Sequence, residues 1–392
     1  MTASIPDRYV RLRQIFLDRY GEPARIARAP GRVNLIGEHT DYNGLPVLPM
    51  ALDREVAIAF RPRSDQRVVL HNVEPRFPVV EFELAAAVAA DQPGAWGNYP
   101  RAAGQALWAE LGPLTGIEGV LGSTVPVAAG LSSSSALVVA TAVALLAANQ
   151  RSVELRRLMD LLAAGERYVG LQGGGMDQAT SLGGRAGHAI RIDFRPIRLT
   201  PVPVPADWVF LVASTGIEAA KAAGARDAYN TRVAECREAL ARFAATYLGG
   251  TPPGDYQELL GRIAPDEAVL LADGALSGHL LQRFRHVVTE GHRVDLAQQA
   301  MEAGALEEFG QLMRASHRSL RNDYEVSSPE LDRLVEVAEG AGAAGARLTG
   351  AGFGGCIVAL ASQARADAVE AALLAASPVV IRAVPSDGAG LA

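Results

Sequence analysis

The stretch Pro126-Val-Ala-Ala-Gly-Leu-Ser-Ser-Ser-Ser-Ala136 constrains this chain more than any other, because it runs without a break into the apolar series from Leu137 to Ala148. A turn of small residues bearing four successive hydroxyls, set at the mouth of an apolar helix, leaves backbone N–H groups unpaired at the positive end of the helix dipole. That is an anion site, most usefully one for phosphate. The lysine-bearing nucleotide loop, Gly-x-x-x-x-Gly-Lys-Ser/Thr, is excluded because the stretch holds no lysine. Taken alone, the loop is explained equally well as a serine N-cap on a buried helix, so other stretches decide.

The apolar run is well short of the ~20 residues that span a bilayer, which makes it a core helix and argues against a membrane partner. The first residues, Met1 to Arg8, lack the apolar stretch of a secretory signal. A net charge of −6 argues against nucleic acid as a partner, so an anionic ligand has to be held by local donors. The two cysteines, Cys236 and Cys356, form neither a disulfide framework nor a zinc spacing, which points to the reducing cytoplasm. At 392 residues, with 49% hydrophobic and 20% charged, the chain is an ordinary globular protein of more than one domain.

Periodicity predicts a helix over 7–20, strands over 54–61, 67–70 and 79–84, a helix over 98–111 and a strand over 119–125 that delivers the chain to the serine loop. A second helix over 153–169 leads into the glycine-rich turn 170–184. A strand over 188–194 follows, and the proline-rich stretch 196–205 is the best candidate boundary between domains 1–195 and 196–392. Beyond a strand at 208–213, helices are expected over 226–243, 256–262, 268–272, 280–303, 306–315 and 329–339. The chain closes with strands 346–349, 356–360 and 379–384 and a helix at 365–375. Mixed elements without regular βα alternation indicate an α+β protein.

Three constellations carry the chemistry. The segment 30–49 is expected as a long polar loop, and Arg28 to Gly44 concentrates two arginines, two carboxylates, a histidine, two asparagines and a tyrosine, which a structural loop seldom does. Glu38, His39 and Asp41 offer acceptors suited to a polyol, and they do not follow the spacing of a calcium loop. Asp177, among the glycines of the turn, suits a base that takes a proton from a hydroxyl under phosphorylation; an Asx turn is the plainer reading of such a residue. The third stretch, Leu348-Thr-Gly-Ala-Gly-Phe-Gly-Gly355, serves either a tight hairpin or close approach of a triphosphate to the backbone.

Together these stretches resemble the three signature motifs of the kinases named for galactose, homoserine, mevalonate and phosphomevalonate, and most nearly those of galactokinases. Gly31 to Asn43 is similar to the galactokinase signature almost letter for letter, Gly130 to Ser134 to the phosphate loop, and Gly350 to Gly355 to the third motif. Arg285 to Glu290 and Ser316 to Leu331 extend the similarity along nearly the whole chain. The resemblance implies a two-domain α+β small-molecule kinase with a ribosomal-protein-S5-like N-terminal domain and a ferredoxin-like C-terminal domain. It implies a monomer that transfers the γ-phosphoryl group of ATP to the C1 hydroxyl of galactose. By the same resemblance Arg32 and Asp177 are catalytic, and Glu38, His39, Asp41 and Tyr229 hold the sugar. Gly130, Leu131, Ser132, Ser133 and Ser134 hold the phosphates, and Trp96 lies near the adenine.

The chain departs from that pattern in three places. Val138 stands where galactokinases usually carry a glutamate, so Mg²⁺ is expected on Ser134 and on Glu166, eleven residues before Asp177. The turn before Met176 reads Gln-Gly-Gly-Gly, and the segment 214–227 before Tyr229 is rebuilt. That segment brings in Lys221 and Arg226, which leaves galacturonate, N-acetylgalactosamine or arabinose as alternative sugars, while a non-catalytic sugar and ATP sensor is the alternative of a different class.

Overall fold

The computed structural model describes residues 5–126, 130–170, 172–217 and 224–392. In chain order its first half comprises α1 (Ile5–Tyr20), β1 (Arg25–Asn34), β2 (Pro49–Pro62), β3 (Arg67–Asn72), β4 (Val80–Glu83), α2 (Asn98–Leu111), β5 (Ile117–Ser123), α3 (Ser133–Ala148), α4 (Leu155–Gly165), α5 (Met176–Gly183), β6 (His188–Asp193) and β7 (Arg198–Pro203). The second half comprises β8 (Trp208–Ser214), α6 (Ala225–Tyr247), α7 (Tyr256–Leu260), α8 (Pro265–Ala275), α9 (Gly278–Glu302), α10 (Leu306–Asn322), α11 (Pro329–Gly340), β9 (Gly345–Thr349), β10 (Cys356–Ser362), α12 (Gln363–Ala376), β11 (Val380–Ala383) and β12 (Gly390–Leu391). The α+β class is observed.

The strands alternate because each faces two cores. In β1 and β2, Ile26, Ala57 and Ala59 turn toward Leu12 and Phe16 of α1. Their neighbours Ala27, Ala29, Ile58 and Phe60 turn toward the core shared with α2 and α3. Helix α3 is apolar on every side and correspondingly buried nearly throughout. The first sheet runs β12-β1-β2-β5-β3-β4, antiparallel except for the parallel pair β3 and β5. The second runs β11-β8-β10-β9 and is antiparallel throughout. One face of it, Leu211, Ala213, Ile357 and Ala359, packs into a core shared with α6, α9, α11 and α12. The other face, Phe210, Val212, Val358 and Leu360, meets Val33, Leu35, Met50 and Leu131 from the first half in a joint core. That joint core fixes the two halves against each other along the cleft.

Several boundaries differ from expectation for physical reasons. The chain after Ala29 is not yet loop: β1 continues to Asn34 across a register shift between Pro30 and Arg32, and β2 begins at Pro49 rather than Arg54. Helix α4 stops at Gly165, and Glu166–Val169 tightens into a 3-10 turn. Helix α10 runs seven residues further than expected, to Asn322, because its polar Ser316 and Ser319 find buried partners. The proline-rich stretch 196–205 contains β7, paired antiparallel with β6. Helix α11 starts as its sequence dictates, with Pro329 at its first turn and Ser328 accepting the Leu331 N–H. Among the described residues no helix is long and apolar enough to cross a membrane.

Candidate active site

Strand β1 carries Arg32 to the foot of the cleft, where three elements meet. The Arg32 Nε donates to Asp177 Oδ1 at 2.7 Å, and its Nη1 donates to the Gly130 carbonyl at 2.6 Å. Its backbone N–H donates to Leu131 O at 3.2 Å, so the strand and the serine loop are stitched together. Ser132, in the left-handed region at φ 56°, precedes the first turn of α3 and donates its hydroxyl to Asp177 Oδ2 at 2.5 Å. Ser135 approaches the same oxygen at 3.4 Å. Ser133 and Ser134 open α3, half-buried, with the helix's unpaired N–H groups beneath them. Asp177 occupies the first turn of α5, behind Gly175 at φ 102°. The structure thus brings together Arg32, Asp177 and the serine loop, which lie far apart in the chain.

The glycines before Asp177 press against the polar loop that follows β1. A Cβ on Gly174 would lie 2.4 Å from the Asp41 carbonyl carbon, so only glycine allows this approach. The Gly174 N–H donates to Asp41 Oδ2 at 3.1 Å. The third motif meets the serine loop in the same manner, since a Cβ on Gly350, at φ 88°, would sit 3.1 Å from the Gly130 carbonyl oxygen. Gly350, Ala351 and Gly352 line the cleft, whose volume is about 720 Å³.

The polar loop after β1 presents its groups in an electrostatically shaped wall. The Arg347 Nη2 donates to Glu38 Oε2 at 2.8 Å with both side chains buried, and Arg347 also donates to Asn34 O at 3.0 Å. Burial raises the Glu38 carboxyl above its ordinary range despite the opposing charges of Arg347 and Arg32. Burial, and then the nearby Asp177 charge, push Asp41 up to about 6. Burial pulls the Arg32 guanidinium down, but the Asp177 and Glu38 carboxylates outweigh it and leave Arg32 raised and cationic. His39 is lowered to about 3 by burial and then by His286 and Arg347, so its imidazole is neutral at neutral pH. Its Nδ1 faces the Tyr42 hydroxyl at 2.8 Å, its ring lies 4.7 Å from Tyr324 and 5.6 Å from Tyr229, and the Ala351 backbone lies beside it. Glu38, His39, Asp41 and Tyr229 all line the cleft.

One expected residue stands differently, and two lie wholly or in part outside the described residues. Trp96 turns its ring N–H to Pro78 O at 3.0 Å and packs on the first core; Tyr99 and Tyr168 line the cleft at that end instead. Trp96 belongs to the turn that precedes α2, whereas Tyr99 lies within the first turn of the helix. Glu166 opens the 3-10 turn, and its side chain lies outside the described residues, as does Lys221 entirely. Arg226 lines the cleft, 3.9 Å from the carboxylate of neighbouring Asp227. Val138 is fully buried in the first core. Arg347 was missed in the sequence, although a lone arginine in the apolar strand Gly345-Ala-Arg-Leu-Thr349 signals a buried charge in need of a partner.

Three family models match the sequence: the galactokinase galactose-binding signature over residues 14–62, the GHMP kinases N terminal domain over 98–185 and the GHMP kinases C terminal region over 297–378. A galactokinase of Chloroflexus aurantiacus is 42% identical over 360 residues, covering 90% of this chain and 87% of the relative. One of Streptomyces coelicolor is 39% identical over 391 residues, covering 95% and 96%. Among solved structures, Lactococcus lactis galactokinase complexed with galactose superposes with a TM-score of 0.89 at 33% identity, covering 97% of this chain and 99% of that one.

Proposed function

The chain belongs to the galactokinase family, and from that premise we propose that Asp177 is the base and Arg32 its electrostatic partner in transfer of the γ-phosphoryl group of ATP to the C1 hydroxyl of galactose. The protein is an ATP-dependent sugar kinase. The observation that carries the residue roles is the contact set of Arg32, Asp177 and Ser132, formed where the sugar loop, the serine loop and the third glycine motif converge.

In this reading the Asp177 carboxylate accepts the proton of the C1 hydroxyl as that oxygen forms its bond to the γ-phosphorus. The bond from the γ-phosphorus to the bridging oxygen breaks, and ADP leaves with the electron pair. Arg32 holds Asp177 in place through Nε, and its positive charge faces the charge that develops on the phosphoryl group. The N–H groups opening α3 receive the phosphates, with Gly130 to Ser134 as the loop around them. Asp41, Glu38, neutral His39 and Tyr229 receive the sugar hydroxyls, and the Tyr99 and Tyr168 rings flank the base. Transfer of this kind rests on positioning and charge stabilisation rather than on covalent chemistry.

The donor set suits magnesium. The serine-rich head of α3 and the Asp177 carboxylate are hard oxygen donors, and a nucleotide-borne Mg²⁺ requires only one or two protein contacts. Buried Val138 offers none, so we assign Ser134 and Glu166 to hold the ion. When bound, Mg²⁺ neutralises charge on the β- and γ-phosphates. We further place the domain boundary between Arg195 and Pro196, in the turn joining β6 to β7, and the enzyme in the cytoplasm as a monomer. The buried free thiols of Cys236 and Cys356 support that compartment.

The test is a coupled ADP-release assay with Mg-ATP and a panel of galactose, glucose, arabinose, galacturonate and N-acetylgalactosamine. Galactose should exceed glucose in kcat/KM by orders of magnitude, because the wrong epimer leaves buried polar groups unpaired. Absence of any sugar-dependent ADP returns the protein to the sensor class. A galacturonate preference removed by Arg226→Ala reassigns the sugar and gives Arg226 a role in binding it.

A further inference from the structure

The peptide group of Glu38 is gripped at both ends by one face of α9, on two residues spaced four apart. Glu290, fully buried, accepts the Gly37 N–H at 3.0 Å and the Glu38 N–H at 3.2 Å on the same oxygen. That oxygen also accepts the Ser316 hydroxyl at 2.6 Å, and the second oxygen takes Arg293 Nε at 2.7 Å. Four donors on a carboxylate without solvent describe a residue whose charge is used to hold other groups. Burial pushes the Glu290 carboxyl up, but Arg293 foremost among its neighbours brings it down to about 2, so it is ionised across the working pH range. One turn earlier, His286 Nε2 lies 3.1 Å from the Glu38 carbonyl. That carbonyl can only accept, so Nε2 carries the proton and Nδ1 faces Ser319 Oγ at 3.0 Å.

The loop's own side chains hold only the flanking carbonyls, Thr40 Oγ1 donating to Gly37 O and Asn43 Nδ2 to His39 O, both at 2.8 Å, which leaves the Glu38 N–H and carbonyl to α9. Gly37 sits at φ 91° and His39 at φ 65°, and the latter lies in a region that a non-glycine residue occupies only when its surroundings impose it. The turn between them aims the Glu38 carboxylate and the His39 ring into the cleft. No other described side chain hydrogen-bonds to the Glu38 N–H or to the Glu38 carbonyl. We propose that Glu290 and His286 are positioning residues for the sugar: from α9 they clamp the Gly37–His39 turn in its left-handed form and thereby set sugar affinity, without touching sugar or nucleotide. This rests on the kinase reading above, and it adds two residues that the sugar signature does not contain.

The experiment compares wild type, Glu290→Gln, His286→Leu and His286→Gln by steady-state kinetics, calorimetric galactose binding and thermal melting. Glu290→Gln puts an amide N–H₂ among donors, and sugar KM and Kd should rise about 10–100-fold, the worth of a hydrogen bond to a charged group. ATP KM should stay within about threefold. His286→Leu should raise the same sugar constants about tenfold, and His286→Gln, whose amide N–H can reach the Glu38 carbonyl, should recover most of that loss. Variants that melt earlier yet bind galactose within about twofold of wild type would show a purely structural pair and overturn the proposal. So would equal losses for the Leu and Gln replacements of His286, a comparison that decides the matter even if Glu290→Gln fails to fold. Wild type that binds galactose without releasing ADP refutes the kinase reading alone, because the calorimetric comparison still tests the clamp.

Discussion

Replacing Asp177 by asparagine separates proton transfer from everything else this residue does. In the resting site its two oxygens accept from Arg32 Nε at 2.7 Å, Ser132 Oγ at 2.5 Å and Ser135 Oγ at 3.4 Å. The amide oxygen can keep the Arg32 contact, and the amide N–H₂ can donate to Ser132, whose own hydroxyl hydrogen is free to rotate. Arg32 loses one compensating charge but still faces Glu38 and Asp41. The stability cost should therefore stay near about 1–3 kcal/mol, the range for a hydrogen bond involving a charged group, below the ~3–5 kcal/mol of a fully orphaned buried ion. Loss of a general base lowers the rate about 10²–10⁴-fold, or about 2.7–5.5 kcal/mol of barrier at ~1.36 kcal/mol per decade. The assay is ADP release at saturating ATP and galactose, with galactose Kd measured by calorimetry on the same preparation. The expected pattern is a collapsed kcat beside a Kd within a few-fold of wild type. A folded Asp177→Asn enzyme that keeps kcat within about tenfold would refute the reasoning and leave Asp177 as an anchor for Arg32 and Ser132.

Asp41, raised to about 6 from 3.8, binds its proton more tightly folded than unfolded. Its contribution thus favours the fold at low pH and is lost as pH rises through roughly 4 to 6. If sugar hydroxyls donate to its ionised form, galactose binding near pH 6 releases a proton and weakens below that pH; equal binding heats in buffers of different ionisation enthalpy would count against this. Arg347→Leu should cost about 3–5 kcal/mol in chemical denaturation by leaving Glu38 buried without its ion-pair partner. The double variant with Glu38→Leu should recover most of that, and an equal loss in both would deny the pair its role. Tyr99→Ala should raise ATP KM about tenfold by removing a ring beside the base, while Trp96→Phe leaves it within about twofold. The reverse ranking would return the base to Trp96.

The sequence exposed whatever is written locally. Helix α2 has the expected bounds, and α3 was readable from an apolar run that no surface helix carries. Six glycines around Asp177 announced a close backbone approach, and Gly174 against Asp41 is that approach. The residues that complete the site were less legible because their meaning is a distance, not a spacing. Arg347 is an ordinary arginine until β9 lies beside the sugar loop, and Glu290 is an ordinary helical glutamate until α9 delivers it to the Gly37 and Glu38 N–H groups. Trp96 and Tyr99 are equally aromatic in sequence; which one faces the cleft depends on how the turn before α2 packs, since Trp96 precedes the helix and Tyr99 lies within its first turn. The continuation of β1 past Pro30 was hidden because Pro30 and Gly31 look like loop residues and act as a bulge in a strand that carries Arg32.

Residues 385–392 belong to the first half in space although they follow the second half in the chain. Ser386 N–H bonds Ala51 O, Gly388 N–H bonds Gly184 O, Ala389 N–H bonds Ser181 O, and β12 pairs with β1 at Ala27 and Arg28. On the ribosome the strand bearing Arg32 emerges early with one edge open, and the helix bearing Asp177 follows with its far end untethered. Both wait for a segment more than 350 residues downstream of β1 before their contacts close. Nascent chains should therefore reach protease resistance in the first half only after residue 390 has left the exit tunnel, so that catalytic competence arrives in one late step and not domain by domain.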